Sequence, residues 1–179
     1  MKIYQLKLTL KHIRPPIWRR VEVPADIKLG KLHQVIQIAM GWNGSHMHAF
    51  MVGKAIYGTP DPEYGGRTLN EVGVRLHEIV GEGDKLNYEY DFGDCWLHEV
   101  KVEKVLNADA TVHYPRCTAG KRACPPDDCG GPFGYEELLE ALKNPSHPDH
   151  AERIDWLGGD FDPEAFELLA INQGLWRMR

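Results

Sequence analysis

The 179-residue sequence predicts an α+β fold, a mainly antiparallel sheet with a strand-strand-helix-strand-hairpin core and a helical C-terminal segment. Three observations carry this. Period-two alternation recurs in short runs within residues 1–106, one strongly helical stretch interrupts them, and helical spacing returns only after residue 134. Residues 3–10, IYQLKLTL, set Tyr4, Leu6, Leu8 and Leu10 against Ile3, Gln5 and Lys7, a half-buried strand with a slip at one end. Arg14-Pro15-Pro16 breaks it, and IWRRVEVP at 17–24 forms a second strand folding back on the first. Leu29, Leu32, Val35, Ile36, Ala39 and Met40 recur at helical spacing up to the stop at Gly41. A third strand, HMHAFMVG, sets His46, His48 and Phe50 on one side and Met47, Ala49 and Met51 on the other.

Residues 57–67 are turn-forming, and 68–72 make at most a short helical turn. Strands at 85–91 and 95–106 form a hairpin around Phe92-Gly93-Asp94, with Trp96, His98, Val100 and Val102 on one face of the return strand. Residues 113–133, rich in Pro, Gly and Cys, read as a loop that needs something to hold it together. Helices are expected at 135–142, around 150–157 and at 163–173, the last with Asp162 as cap and Pro163 in its first turn.

Composition bounds the alternatives. With 42% hydrophobic and 26% charged residues the chain can bury a core, so disordered and low-complexity classes fall away. Residues 1–179 read as a single domain, its sheet-forming part about 1–106, its Cys/Gly/Pro loop 113–133 and its helical part 134–179. No apolar run approaches the roughly 20 residues a membrane span needs. The alternating start lacks the apolar stretch of a signal peptide, so no membrane partner and a cytoplasmic location are expected.

Charge is uneven. Residues 1–60 hold nine Lys and Arg against two acids, a formal +7, and the remainder twelve against twenty-four, −12. Lys11, Arg14, Arg19 and Arg20 could therefore offer a nucleic-acid phosphate face. The same split equally fits a basic layer neutralised by an acidic one within the molecule.

Three longer segments, YDFGDCWLHEVKVE at 90–103, CTAGKRACPPDDCGGPFGYEELLEAL at 117–142 and FDPEAF at 161–166, resemble the plasmid pRiA4b ORF-3-like family. The opening IYQLKLTLKHIRPPIWRRVEVP and the GWNGSHMHAF segment are similar too, so the resemblance spans nearly the whole chain. Members are often labelled insertion-element passenger proteins of resolvase type, which implies an association with mobile DNA without specifying an activity. Recombinase chemistry finds no support in the residues. Ser45 and Ser146 are the only serines, neither sits among activating arginines, and no Arg-rich constellation accompanies a terminal Tyr.

Two constellations could carry chemistry. Cys117, Cys124 and Cys129 offer three thiolates, and His98, His113 or Cys95 could complete a tetrahedral zinc site that organises the loop. The spacing lacks paired Cys-x2-Cys, and buried free thiols fit it as well. His46 and His48, with Asp91, Asp94 and His98 from the hairpin, would suit a divalent metal or a general acid/base pair. The alternative is that Asp94 organises the hairpin turn and His98 is a hydrogen-bonded core residue. The glycine run at 130–134 reads as a turn rather than an anion cradle, because Glu136 and Glu137 occupy the first helical turn. The five tryptophans read as core or rim residues rather than a base-stacking platform.

Three function classes follow. The leading one is a non-enzymatic binding or accessory module, associated with a mobile-element protein partner or nucleic acid through the basic N-terminal third. The others are a metal-dependent hydrolase using the His/Asp cluster and a structural zinc protein whose Cys loop presents a partner surface.

Overall fold

The computed structural model describes residues 1–60 and 67–178. Its eight strands, β1 (Lys2–Leu10), β2 (Trp18–Pro24), β3 (His48–Val52), β4 (Ala55–Gly58), β5 (Thr68–Asn70), β6 (Lys85–Tyr90), β7 (Trp96–Asn107) and β8 (Arg116–Lys121), form one sheet in the order β5-β4-β3-β6-β7-β1-β2-β8, antiparallel throughout except where β4 and β5 run parallel. Strand β1 lies inside the sheet, flanked by β2 and by the twelve-residue β7. The slip seen in the alternation has a structural counterpart: the β1–β7 register shifts between Gln5 and Leu6, and Ile3 is buried although it sits out of phase.

One sheet face carries the main core. Helix α1 (Leu29–Met40) lays Leu29, Leu32, Val35, Ile36, Ala39 and Met40 against it, and ends at Gly41, whose φ of 96° permits the left-handed turn that bonds its N–H to the Gln37 carbonyl. Strand β7 buries Trp96, His98, Val100 and Val102 in alternation, and β6 (Lys85–Tyr90) buries Leu86, Tyr88 and Tyr90. Each fully buried side chain of this kind contributes about 1.5–3 kcal/mol of transfer free energy.

Several elements differ from the local expectation, and in each case tertiary pairing overrides a short-range signal. Thr68–Asn70 is strand β5, held parallel to β4 (Ala55–Gly58), not a helical turn. Of the turn-forming stretch 57–67, Tyr57 and Gly58 end β4, whereas 61–66 lie outside the described residues. Within the expected loop 113–133, Arg116–Lys121 forms strand β8 on the outer edge of β2, so the sheet continues beyond residue 106. A short helix, α2 (Leu76–Ile79), lies between β5 and β6. Strand β3 is His48–Val52, leaving His46 just outside it.

The final third holds α3 (Gly131–Lys143), α4 (His150–Leu157) and α5 (Leu168–Trp176). The third helix begins four residues before Tyr135, because Gly130 with φ of 92° supplies its cap and Pro132 fits its first turn. The last begins later than Pro163: Asp162 closes a turn onto the Glu164 N–H, and the Pro163 carbonyl accepts from the Ala123 N–H, diverting the chain. Among the described residues no helix is long and apolar enough to cross a membrane.

Candidate functional site

Strand pairing places β3 beside β6, and the Asp91 N–H donates to the Met47 carbonyl just past the end of that ladder. This brings His46 to Asp91. The hairpin turn then supplies order: Asp91, at φ of 59°, accepts the Gly93 and Asp94 N–H groups on Oδ1 at 2.9 and 3.4 Å. Asp91, rather than Asp94, is thus the turn's organiser. Asp94 acts across space instead, accepting the Gly130 N–H on Oδ2 at 3.2 Å and docking the cysteine-rich loop onto the hairpin. The Trp42 indole donates to the Pro125 carbonyl at 2.9 Å and fixes the same loop from the other side.

The docked loop delivers Asp128 to His46. The imidazole then lies between two carboxylates, Nδ1 3.6 Å from Asp91 Oδ2 and Nε2 3.2 Å from Asp128 Oδ1. One ligand atom from each of His46, Asp91 and Asp128 falls within 4.8 Å of the others, the single such group of three among the described residues. Asp91 is buried, His46 is half-buried and Asp128 is exposed, so the group opens to solvent on one side. Asp127 stands beside it. Burial raises its carboxyl above the ordinary value, the charges of Asp128 and Asp91 push the same way, and His46 pulls against them.

The group sits at the rim of a cleft of about 720 Å³ on the sheet face opposite α1. Cross-strand partners share a face, so Ala49 with Glu89, Met51 with Ile56, and Ile56 with Thr68 form its floor, and Phe92 stands half-exposed at the edge. His48 borders the cleft while packing inward. Its ring stacks on His33 of α1 with centroids 3.7 Å apart, and its Nε2 lies 3.1 Å from Glu71. Gln37 donates to the Tyr88 hydroxyl at 2.9 Å, so that hydroxyl can donate to His33 Nδ1 at 2.8 Å. Burial, then the neighbouring His48, push His33 down to about 4.

The remaining expected site residues fall elsewhere. His98 is fully buried, its Nδ1 3.0 Å from the Trp96 carbonyl and 3.3 Å from that of Tyr88, and desolvation pushes it down to about 4. It is a core residue, joined neither to His46 nor to the thiols. Cys117, Cys124, Cys129 and His98 do not assemble as a ligand group among the described residues. All four cysteines are free, and burial raises Cys117, Cys124 and Cys129, the last to about 12. Cys117 lies in β8 with its Sγ donating to the Ala119 carbonyl at 3.5 Å, whereas Cys124 and Cys129 lie in the loop beyond that strand. The positive charge of Arg19 pulls Cys117 and Cys124 the other way, against the larger effect of burial.

Arg19 is correspondingly unavailable to a phosphate. It is 3% exposed and donates to the carbonyls of Ala39, Trp18 and Lys121 at 2.8, 2.9 and 3.0 Å. Arg20 is bound by both oxygens of Glu103, at 2.6 and 3.1 Å. Among the described residues, only Lys11 and Arg14 of the four expected cations remain outside such pairing, bordering a groove of about 610 Å³ against α3. Reading the sequence missed Asp128 and Asp127 as partners of His46. The Asp-Asp pair in a Pro- and Cys-rich loop was their sole signal.

Fold and site together define a class: an α+β domain with a mostly antiparallel eight-stranded sheet and a His/Asp group at the mouth of an open-face cleft. The plasmid pRiA4b ORF-3-like protein family matches residues 2–170, and the chain belongs to that family. The uncharacterized protein y4hQ of Sinorhizobium fredii is 39% identical over 176 residues, spanning 97% of this chain and 90% of that protein. The crystal structure of MM3350, a protein of unknown function from Methanosarcina mazei Go1, superposes with a TM-score of 0.86 at 41% identity, covering 93% of this chain and 96% of that one.

Proposed function

We propose that this chain is a metal-dependent hydrolase that holds a divalent cation on His46, Asp91 and Asp128 and acts on a small molecule in the adjoining cleft. The observation that carries the reading is the convergence of one imidazole nitrogen and two carboxylate oxygens within 4.8 Å at the rim of that cleft. Mixed nitrogen and oxygen ligands suit zinc or manganese, and three protein ligands with an open side match catalytic rather than closed structural sites. Such a cation would acidify a coordinated water at the cleft mouth. The test is calorimetric titration with Zn2+ and Mn2+. One equivalent should bind, and Asp128→Asn should weaken it by about tenfold or more, as removal of a charged ligand implies, without lowering the unfolding temperature, because Asp128 is exposed. Unchanged affinity in the variant overturns the site. Hydrolysis of p-nitrophenyl acetate that requires the bound metal would support the catalytic part, and its absence with metal bound would overturn that part.

A second reading, the accessory module contacting nucleic acid, rests on Lys11 and Arg14 beside the α3 groove. It requires a salt-sensitive DNA shift that disappears when both are replaced by Gln, and no shift at low salt removes it.

A further inference from the structure

The cleft floor has a chemistry that a cation held at its rim would not use. Ala49, Met51, Ile56 and the flanking Met47 and Phe92 make it largely apolar, yet Glu89 projects among them. Glu89 is half-buried, and its carboxylate takes no hydrogen bond or ion pair among the described residues. Its neighbours explain why. Directly across the sheet stand Ala49 on one side and Leu97 on the other, both apolar, and the lysine of its own strand, Lys85, is bound to Glu99 at 3.0 Å. Asp91 also lines the cleft, with one oxygen given to the turn and the other facing His46. No Lys or Arg lines the cleft among the described residues.

An unpaired carboxylate set in an otherwise apolar floor attracts a ligand that brings a positive charge. An anion would meet Glu89 and Asp91 and be repelled, and an uncharged apolar molecule would strip water from Glu89 without replacing it. The volume of about 720 Å³ lies within the range of small-molecule sites, and the Met and Phe92 side chains offer the apolar and cation–π contacts that an alkylammonium uses.

We propose that this cleft binds an amphipathic primary amine, its ammonium group paired with Glu89 and its apolar body against Met47, Met51, Ile56 and Phe92. This inference stands apart from the metal reading, since Glu89 is not among the three rim ligands. The experiment is amide chemical-shift titration of the metal-free, isotope-labelled chain with n-hexylammonium, n-hexanol and hexanoate at pH 7. Hexylammonium should shift the amides of Ala49, Glu89 and Phe92 and bind about tenfold more tightly than hexanol, the scale of one charge-assisted contact. Glu89→Gln should abolish that preference, while Asp128→Asn should keep it. Equal affinity for hexanol, tighter binding of hexanoate, or a preference that survives Glu89→Gln overturns the proposal. Titrating Glu89→Gln with Mn2+ reports separately on the rim, so failure of one site is distinguishable from failure of the other.

Discussion

Acid destabilisation through His98 is the sharpest test of how the core is built. The ring is fully buried, its Nδ1–H directed at the Trp96 carbonyl, and its Nε2 lies in the core with no partner among the described residues. A second proton would place an N–H where no acceptor exists, and burial accordingly holds the group at about 4 against an ordinary value of 6.5. The unfolded chain therefore binds this proton first, so stability rises with pH and is lost as pH falls from 6.5 towards 4. At pH 4.5 the loss attributable to His98 is about 2–3 kcal/mol, from roughly 1.4 kcal/mol per unit of separation between the two states. Urea unfolding at intervals from pH 7.5 to 4.5 measures it. His98→Asn keeps a donor for the Trp96 carbonyl and removes the titration, so its stability should fall with a slope smaller by about one proton. His33 acts in the same direction in both proteins and cancels in the difference. Identical slopes for the two would refute the placement of His98 as a neutral core residue.

Other perturbations read the same architecture. Arg19→Met should cost roughly 3 kcal/mol in unfolding free energy, because it leaves the Ala39, Trp18 and Lys121 carbonyls without their donor; a loss below 0.5 kcal/mol in the same urea assay would contradict its buried role. Gly131→Ala should cost about 2–3 kcal/mol, since its φ is 69° and a Cβ would collide with the Asp94 carbonyl. It should also weaken Mn2+ binding by loosening the loop that carries Asp128, and an unchanged melting temperature would count against that docking. Thiol labelling of the native chain should proceed fast at exposed Cys95 and slowly at buried Cys117 and Cys129, with all four reacting in denaturant. Three fast native thiols would show that the cysteine loop is not packed as described.

The parts of this protein visible in sequence are those whose signals are complete within a short window. Helix α1 shows its apolar stripe and its Gly41 stop in thirteen consecutive positions, and the Trp96 to Val102 alternation identifies both the strand and its buried face. Strands β5 and β8 were illegible for the opposite reason. Thr68–Asn70 and Arg116–Lys121 carry little periodicity of their own and are strands because β4 and β2 present open edges to them. The end of α3 nearest Gly130 and the late start of α5 depend likewise on contacts with the Asp94 turn and with Ala123.

The same division governs function. Sequence by itself determined the family and the placing of His46 and Asp91 as candidates, since residue identity and local spacing suffice for each. The fates of the charged and sulfur-bearing groups were decided by tertiary structure alone. Arg19 reads in sequence as a surface cation, but α1 and β8 close over it, and of the three cysteines that read as a metal loop Cys117 is drawn into β8. Asp128 meets His46, and Glu89 is left without a counterion among the described residues, because the β3–β6 register and the loop docked on Asp94 bring some distant residues together and hold others apart. Burial and partner choice are properties of that three-dimensional packing, in which the energy of a charge depends on what surrounds it rather than on what precedes it in the chain.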